Sequence, residues 1–426
     1  MKMRTLFTLL AVVLVGAPAA ATAQGYSFYG PPAPSDFSTD MGNLEIAEDT
    51  DGDTAGVPGL GIFARKPFKF TFSVRQGYDS NVFTTRTDPT ESWYTNWAAG
   101  ILYEFGGPRL KLRSSLGGGL TYYYTRPGDP VDFNGNFSLG ATYLATPRLT
   151  LSIDTTTAYL SQPDISILGT TDRVDGDYLY SSTTVSAAYA WTEKFSTVAA
   201  YTFGTVYYLE NNLNDTQGYI TQTASISGRW LILPKTTGVL EYRVNPITYY
   251  KADLDSLGQF FLVGVDQIFN PRMRWSGRVG AEMRFNNNPV DGQSTYFGPY
   301  FESNFSWQFG RASNLAWTAR YGTLPSGLTN VTQSQTLSNG LVATHQFTRR
   351  LSGNLGVNWN LNYYDQPDVI PDFYENIFQV SAGLNFAVNR FISLSAGYQY
   401  TIDVAPDAPE REYNRSVAFA GANFAF

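Results

Sequence analysis

The sequence predicts an all-β fold, a transmembrane antiparallel up-and-down β-barrel of about 18 strands (16 as the alternative count) behind a flexible N-terminal arm. Three observations carry that prediction. The 426 residues are only 15% charged and fully 15% aromatic, whereas a soluble domain is typically about 25% charged. From residue 67 onward, segments of about 10 to 16 residues alternate apolar and polar positions. Between them, short turns and longer polar loops take strict turns along the chain.

Composition narrows the classes further. Past residue 15 no apolar run approaches the roughly 20 residues of a spanning helix, so a helical membrane protein is excluded. The chain has no cysteine, which removes disulfide scaffolds, thiolate metal sites and a cysteine nucleophile. With 29 Lys+Arg against 36 Asp+Glu and a net charge of -7, nothing calls for a nucleic-acid partner.

Taken in order, residues 1–23 read as a secretory signal peptide. Lys2 and Arg4 precede the apolar run Leu6 to Val15, and Ala21-Thr22-Ala23 forms a small-residue cleavage site before Gln24. The mature chain is therefore expected to leave the cytoplasm, toward the envelope of a Gram-negative cell. Residues 24–66 hold Asp36, Asp40, Glu45, Glu48, Asp49, Asp51 and Asp53 with no apolar periodicity, as expected of a flexible acidic periplasmic arm. Asp49, Asp51 and Asp53 have calcium-loop spacing, but Thr54 and Leu60 stand where that loop needs Gly and a bidentate Glu. The expectation is a solvated linker without a metal.

Residues 67–426 form the barrel. In Leu351 to Tyr363 one parity is Leu351, Leu355, Val357, Trp359 and Leu361, and the other is Ser352, Asn354, Asn358, Asn360 and Asn362. Helical spacing would scatter these residues around a cylinder, so period two decides for strands. Tight turns fall at Gly106 to Pro108, Thr146-Pro147, Thr192-Glu193, Leu233 to Lys235, Asn270-Pro271, Gly310 to Ala312, Thr348-Arg349 and Asn389-Arg390. Longer loops fall near 79–91, 125–130, 163–176, 211–215, 251–256, 287–293, 323–333, 365–372 and 403–410. Eight hairpins, a first strand (Phe68 to Tyr78) and a last one (Arg411 to Phe426) make eighteen, an even number with both ends on the short-turn side. A soluble sandwich also alternates, but it has no need of repeated strands longer than the roughly 9–11 residues that cross a bilayer. Aromatics such as Trp93, Trp97, Tyr103 and Phe105 crowd strand ends like interfacial girdles. Closure would satisfy every backbone group in lipid. Phe426 ends a strand of apolar parity, which resembles the signal read by the outer-membrane barrel-assembly machinery.

If the apolar parity faces lipid, the other lines the lumen. Its candidates for an anion or saccharide path are Arg109, Lys111, Arg113, Arg243, Arg272, Arg274, Arg278, Arg284, Glu282, Glu302, Tyr296 and Tyr300. Two readings stay open: a basic wall that attracts anions, or a ladder of Arg and carboxylate pairs that keeps the lumen hydrated. Inward tyrosines (Tyr94, Tyr123, Tyr208, Tyr249, Tyr296, Tyr300, Tyr364) either stack on sugar rings or belong to the rim. The loops are acidic. His345 alone could serve a hydrolytic triad, but it shares the lipid-side parity of Leu337, Leu341 and Ala343, which suits an interfacial residue. No enzyme and no cofactor is expected.

Gly77-Tyr78-Asp79-Ser80-Asn81-Val82, at the end of the first strand, resembles the opening signature of outer-membrane β-barrel porins associated with exopolysaccharide gene clusters. That resemblance implies an outer-membrane channel, a conduit for exopolysaccharide or for smaller anionic or sugar solutes. It also implies contact with a periplasmic polysaccharide-export partner, alongside outer-membrane lipid and lipopolysaccharide. The alternative is a structural or adhesive barrel with cation-binding acidic loops and no open pore.

Overall fold

The computed structural model describes residues 68–161, 176–287, 294–325, 333–364 and 372–426. The signal segment, the acidic arm and the loop residues Asp164, Asp172, Asp175, Asp291, Asp365 and Asp368 lie outside them.

Period-two segments rich in β-branched and aromatic residues become strands because such side chains pack on a pleated surface. In chain order they are β1 (Phe68–Asp79), β2 (Ser92–Gly106), β3 (Leu110–Tyr123), β4 (Val131–Leu144), β5 (Leu149–Leu160) and β6 (Tyr178–Ala190). There follow β7 (Phe195–Tyr208), β8 (Tyr219–Leu233), β9 (Thr236–Tyr249), β10 (Ser256–Asn270), β11 (Met273–Asn286) and β12 (Thr295–Phe309). The last six are β13 (Ser313–Pro325), β14 (Gln333–Gln346), β15 (Leu351–Tyr364), β16 (Phe373–Ala387), β17 (Ile392–Val404) and β18 (Tyr413–Ala425). Each pairs antiparallel with its chain neighbours, and β1 pairs with β18, so one 18-stranded sheet closes on itself. The higher of the two counts predicted from the hairpin rhythm is the one found. Eighteen strands about 4.8 Å apart, tilted by about 40°, enclose a cylinder roughly 35 Å across between backbones.

Register sorts the side chains. Phe72 opposite Phe424 faces outward, and Arg75 opposite Gly421 faces inward. A slip of one residue would turn every polar side chain into lipid, so the pattern pins the pairing. Along the outer face, leucine, isoleucine, valine and phenylalanine form a band that includes Leu240, Ile226, Phe261 and Val279, all exposed. Aromatic pairs border it on both sides: Phe195 with Trp230 and Trp307 with Phe309 near the short turns, Tyr78 with Trp93 and Tyr363 with Tyr374 near the long loops. This is the layout of a barrel whose outside solvent is hydrocarbon.

One loop is less simple than its sequence suggests. The connection after β7, read as plain loop, holds a short helix α1 (Asn211–Gln217). Asn214 shapes it, accepting from the Tyr208 backbone N–H through its side chain at 3.1 Å and from Gly218 through its backbone at 3.1 Å.

Candidate functional site: the lumenal wall

The polar parity does line the inside, and the wall divides into two halves. Several charged inward side chains near the short turns, among them Lys69, Lys111 and Arg113, are exposed to solvent. Many of those toward the long loops, such as Arg243, Glu282, Arg284 and Glu302, are buried against one another.

In the short-turn half, Glu104 bridges Lys69 (3.1 Å) and Arg113 (3.6 Å), with all three side chains 44–55% exposed. Such wet ion pairs stabilise by about 0–1 kcal/mol at most. Beside them a cleft of about 580 Å³ is lined by Glu104, Lys111, Arg113, Thr142 and Asp154. Lys111 projects into it with no ion-pair partner among the described residues.

From the short-turn side of the wall up toward the long loops, β8 to β12 carry a continuous charge ladder. Arg229 reaches Asp266 (3.9 Å), Asp266 accepts from Arg278 (2.7 Å), and Arg278 lies 3.7 Å from Glu241. Glu241 also pairs with Arg243, whose guanidinium donates two bonds, at 2.6 and 2.9 Å, to the Glu302 carboxylate. The Tyr300 hydroxyl donates to the same carboxylate at 2.7 Å. Next to it Arg284 donates to Glu282 (2.9 and 3.0 Å) and to the Ser256 hydroxyl (3.1 Å), and Glu282 accepts the Thr323 backbone N–H at 3.0 Å. Room for these long side chains comes from glycines placed across from them: Arg278 lies over Gly264 and Tyr300 over Gly322, where any Cβ would collide. Phe260, Leu262 and Tyr300 fill the space between as a small apolar cluster.

Nearly opposite, the Gly77 to Val82 motif closes the barrel. Asp79 pairs with Arg415 of β18, its two carboxylate oxygens 3.0 and 3.1 Å from Nε. Asn81 donates to the Thr85 (2.8 Å) and Asn414 (3.0 Å) carbonyls, while Asp79 accepts the Asn81 N–H at 3.0 Å. Ser80 and Ser416 exchange bonds of 3.0 and 2.8 Å. A side chain at Gly77 would meet the Tyr94 ring, and the Ala418 carbonyl lies 2.6 Å from where its Cβ would stand. Gly77→Val is therefore expected to destabilise the barrel by about 1–3 kcal/mol, measured as a lower temperature for the heat-induced gel shift. A variant that shifts at the wild-type temperature would show that the seam tolerates a side chain there.

Further round the wall, Arg411 donates to Glu375 (2.7 Å), and Glu375 also accepts from the Tyr364 hydroxyl (3.0 Å) and the Asn362 amide (3.3 Å).

The twelve residues singled out from the sequence thus separate. Lys111, Arg113 and Arg274 stand on the exposed part of the wall. Arg243, Arg278, Arg284, Glu282, Glu302 and Tyr300 are buried in the ladder. Tyr296 is half-buried beside it. Arg109 and Arg272 are corrections: they sit in the turns before β3 and β11, on the rim rather than the wall, because the hairpins use those residues to reverse direction. Of the inward tyrosines, Tyr123, Tyr208, Tyr300 and Tyr364 are at most 6% exposed and present no free face, whereas Tyr94 and Tyr249 are half-buried. Asp79 and Asp403, read as loop residues, are in fact lumenal strand residues, 1% and 2% exposed. Continued parity after Arg75 and after Gln399 was the available signal for both. His345 lies on the outer face, its ring 4.7 Å from Phe347 and its Nδ1 hydrogen-bonded to the Ser313 hydroxyl at 2.6 Å.

A closed barrel with an apolar, aromatic-bordered outside and a charged, partly wet inside defines a porin-like outer-membrane β-barrel. Residues 241–426 match the family described as "Putative beta-barrel porin 2". The match covers β9 from Glu241 onward and all of β10 to β18, hence most of the ladder and Arg415, but not the Gly77 to Val82 motif. No curated protein matches the chain. Among solved structures it is similar to OccAB4 of Acinetobacter baumannii, with 11% identity, 85% of this chain and 99% of that one covered and a TM-score of 0.42. It is likewise similar to the outer-membrane protein OpdK of Pseudomonas aeruginosa, with 10% identity, 84% and 99% covered and a TM-score of 0.46.

Proposed function

We propose that the barrel is a passive channel for anionic or saccharide solutes, with exopolysaccharide the cargo that its sequence resemblance implies. The observation that carries this reading is the exposure of Lys69, Glu104, Lys111 and Arg113, which point inward in a closed barrel and yet meet solvent. Ionised side chains stay exposed inside a barrel only where water fills the space. On that accessible wall stand the exposed cations Lys69, Lys111, Arg113 and Arg274, and low-dielectric walls focus their field on a passing anion. The ladder of β8 to β12 serves a different purpose in this reading, since its arginines are paired with carboxylates and narrow the path.

Conductance in planar bilayers tests the reading. Replacing Lys111, Arg113 and Arg274 together by Gln is expected to lower the anion-to-cation permeability ratio by roughly twofold to fivefold, while Arg278→Gln changes stability more than selectivity. Unchanged selectivity in the triple variant would remove the basic-wall idea. A second reading, a structural barrel without an open pore, is favoured by the packing of the long-loop half, where Phe260, Tyr300 and Glu282 are wholly buried. A barrel that inserts and passes no ion current would decide for it.

A further inference from the structure

Every short turn carries a cation. Going round the rim these are Arg109, Arg148, Lys194, Lys235, Arg272, Arg311, Arg349 with Arg350, and Arg390, and the only carboxylate in the eight turns is Glu193. All nine basic side chains are exposed, and none has an ion-pair partner among the described residues. The opposite rim is acidic, with Asp88, Glu91, Asp129, Asp253, Asp255, Asp407 and Glu410 among its residues. Turn chemistry does not account for this: Gly, Pro, Asn and Thr supply the reversals, as where Thr146, Thr192 and Thr348 side chains accept the turn's backbone N–H groups.

The chain brings its own counter-charge to this rim. β1 starts there at Phe68, beside Phe426, with a bond of 3.0 Å from the Phe70 N–H to the Phe426 carbonyl. Immediately before it, residues 24–66 contain seven acids, and the basic residues Arg65 and Lys66 come last, next to the barrel. We infer that this acidic segment docks against the basic short-turn rim.

Reach and energetics agree with the assignment. A chain of that length has a root-mean-square span of about 35 Å, comparable to the roughly 35 Å width of the barrel mouth. Eight turns on a rim of that width stand about 14 Å apart, more than the Debye length of about 8 Å at physiological salt, so the cations scarcely repel one another. Each therefore attracts an anionic chain nearly independently. Tethering favours the arm over free competitors, because a segment joined to its site by a short linker has an effective concentration in the millimolar range.

The absence of native cysteine makes the test direct. Ala47→Cys in the arm is paired with Ala312→Cys in the turn before β13, or with Asp407→Cys on the opposite rim as control, in mature protein held in a neutral detergent. A short bis-maleimide is expected to join Ala47→Cys to Ala312→Cys at about 0.01 M salt and to lose at least fivefold in yield at about 1 M, where the Debye length is about 3 Å. The same loss is expected when Arg311, Arg349, Arg350 and Arg390 are replaced by Gln, with heat modifiability showing that the barrel is folded. Equal yields in both salts, or equal linking to Asp407→Cys, overturn the inference. So does a cross-link that persists in phosphatidylcholine nanodiscs but disappears in phosphatidylglycerol ones, since the rim would then belong to lipid headgroups. The cross-link reports contact whether or not the barrel conducts, so its failure is distinguishable from failure of the channel reading.

Discussion

Arg243→Ala is expected to destabilise the barrel by about 3–5 kcal/mol, read as a fall in the temperature of the heat-induced gel shift. Arg243 and Glu302 are 6% and 3% exposed as side chains, and the pair is bidentate. Removing the guanidinium leaves two buried carboxylates short of a partner, because Arg243 also neutralises Glu241. Glu302→Ala should cost less, since Arg243 keeps Glu241 and Glu241 lies 3.7 Å from Arg278. The cost resides in the stranded charge rather than in the lost attraction. Replacing both partners with apolar residues of similar volume, Arg243→Met with Glu302→Leu, is therefore expected to restore most of the stability. If Arg243→Ala costs no more than the 1 kcal/mol or so of an exposed pair, water reaches the ladder and the narrow half of the lumen is open.

Asp79→Ala is expected to cost a comparable 3–5 kcal/mol, but with a local signature. Asp79 is 1% exposed, holds Arg415 across the junction of first and last strands, and accepts the Asn81 N–H that anchors the following turn. That junction is the one place where the barrel is closed by residues far apart in sequence rather than by a hairpin, with nine paired positions from Thr71 opposite Ala425 to Asp79 opposite Val417. Hydrogen exchange should accelerate in β1 and β18 while β9 to β11 remain protected. Asp79→Asn retains an acceptor for Asn81 and should lose less. Uniform acceleration around the barrel would contradict a seam role for the motif.

The fold was legible because a lipid-facing barrel repeats one rule at every strand. Period two in Leu351 to Tyr363, and the same pattern elsewhere, told the faces apart. The turns at Thr146-Pro147 and Asn270-Pro271 told where each hairpin reverses. Glu241, Glu282 and Glu302 and Arg243, Arg278 and Arg284 share the polar parity, and the structure brings them into contact with one another. Strand ends were less legible. Asp79 and Asp403 looked like loop acids because an aspartate near a turn signal usually is one, and only their bonded neighbours reveal that the strands run on.

Pairing could not be read at all. Arg243 lies 59 residues from Glu302, with β10 and β11 between them, and nothing along one strand says which carboxylate on another is within reach. Nor does parity say how deep a side chain lies. Lys111 and Arg278 share the same inward assignment, yet one is exposed and the other is 9% exposed. What the sequence determined by itself was the solvent each face must meet, since alternation answers to lipid on one side and water on the other. What only the tertiary structure decided was which lumenal charges are spent on one another and which stay free, because curvature brings together side chains from strands that are not neighbours, and neutralisation depends on that proximity.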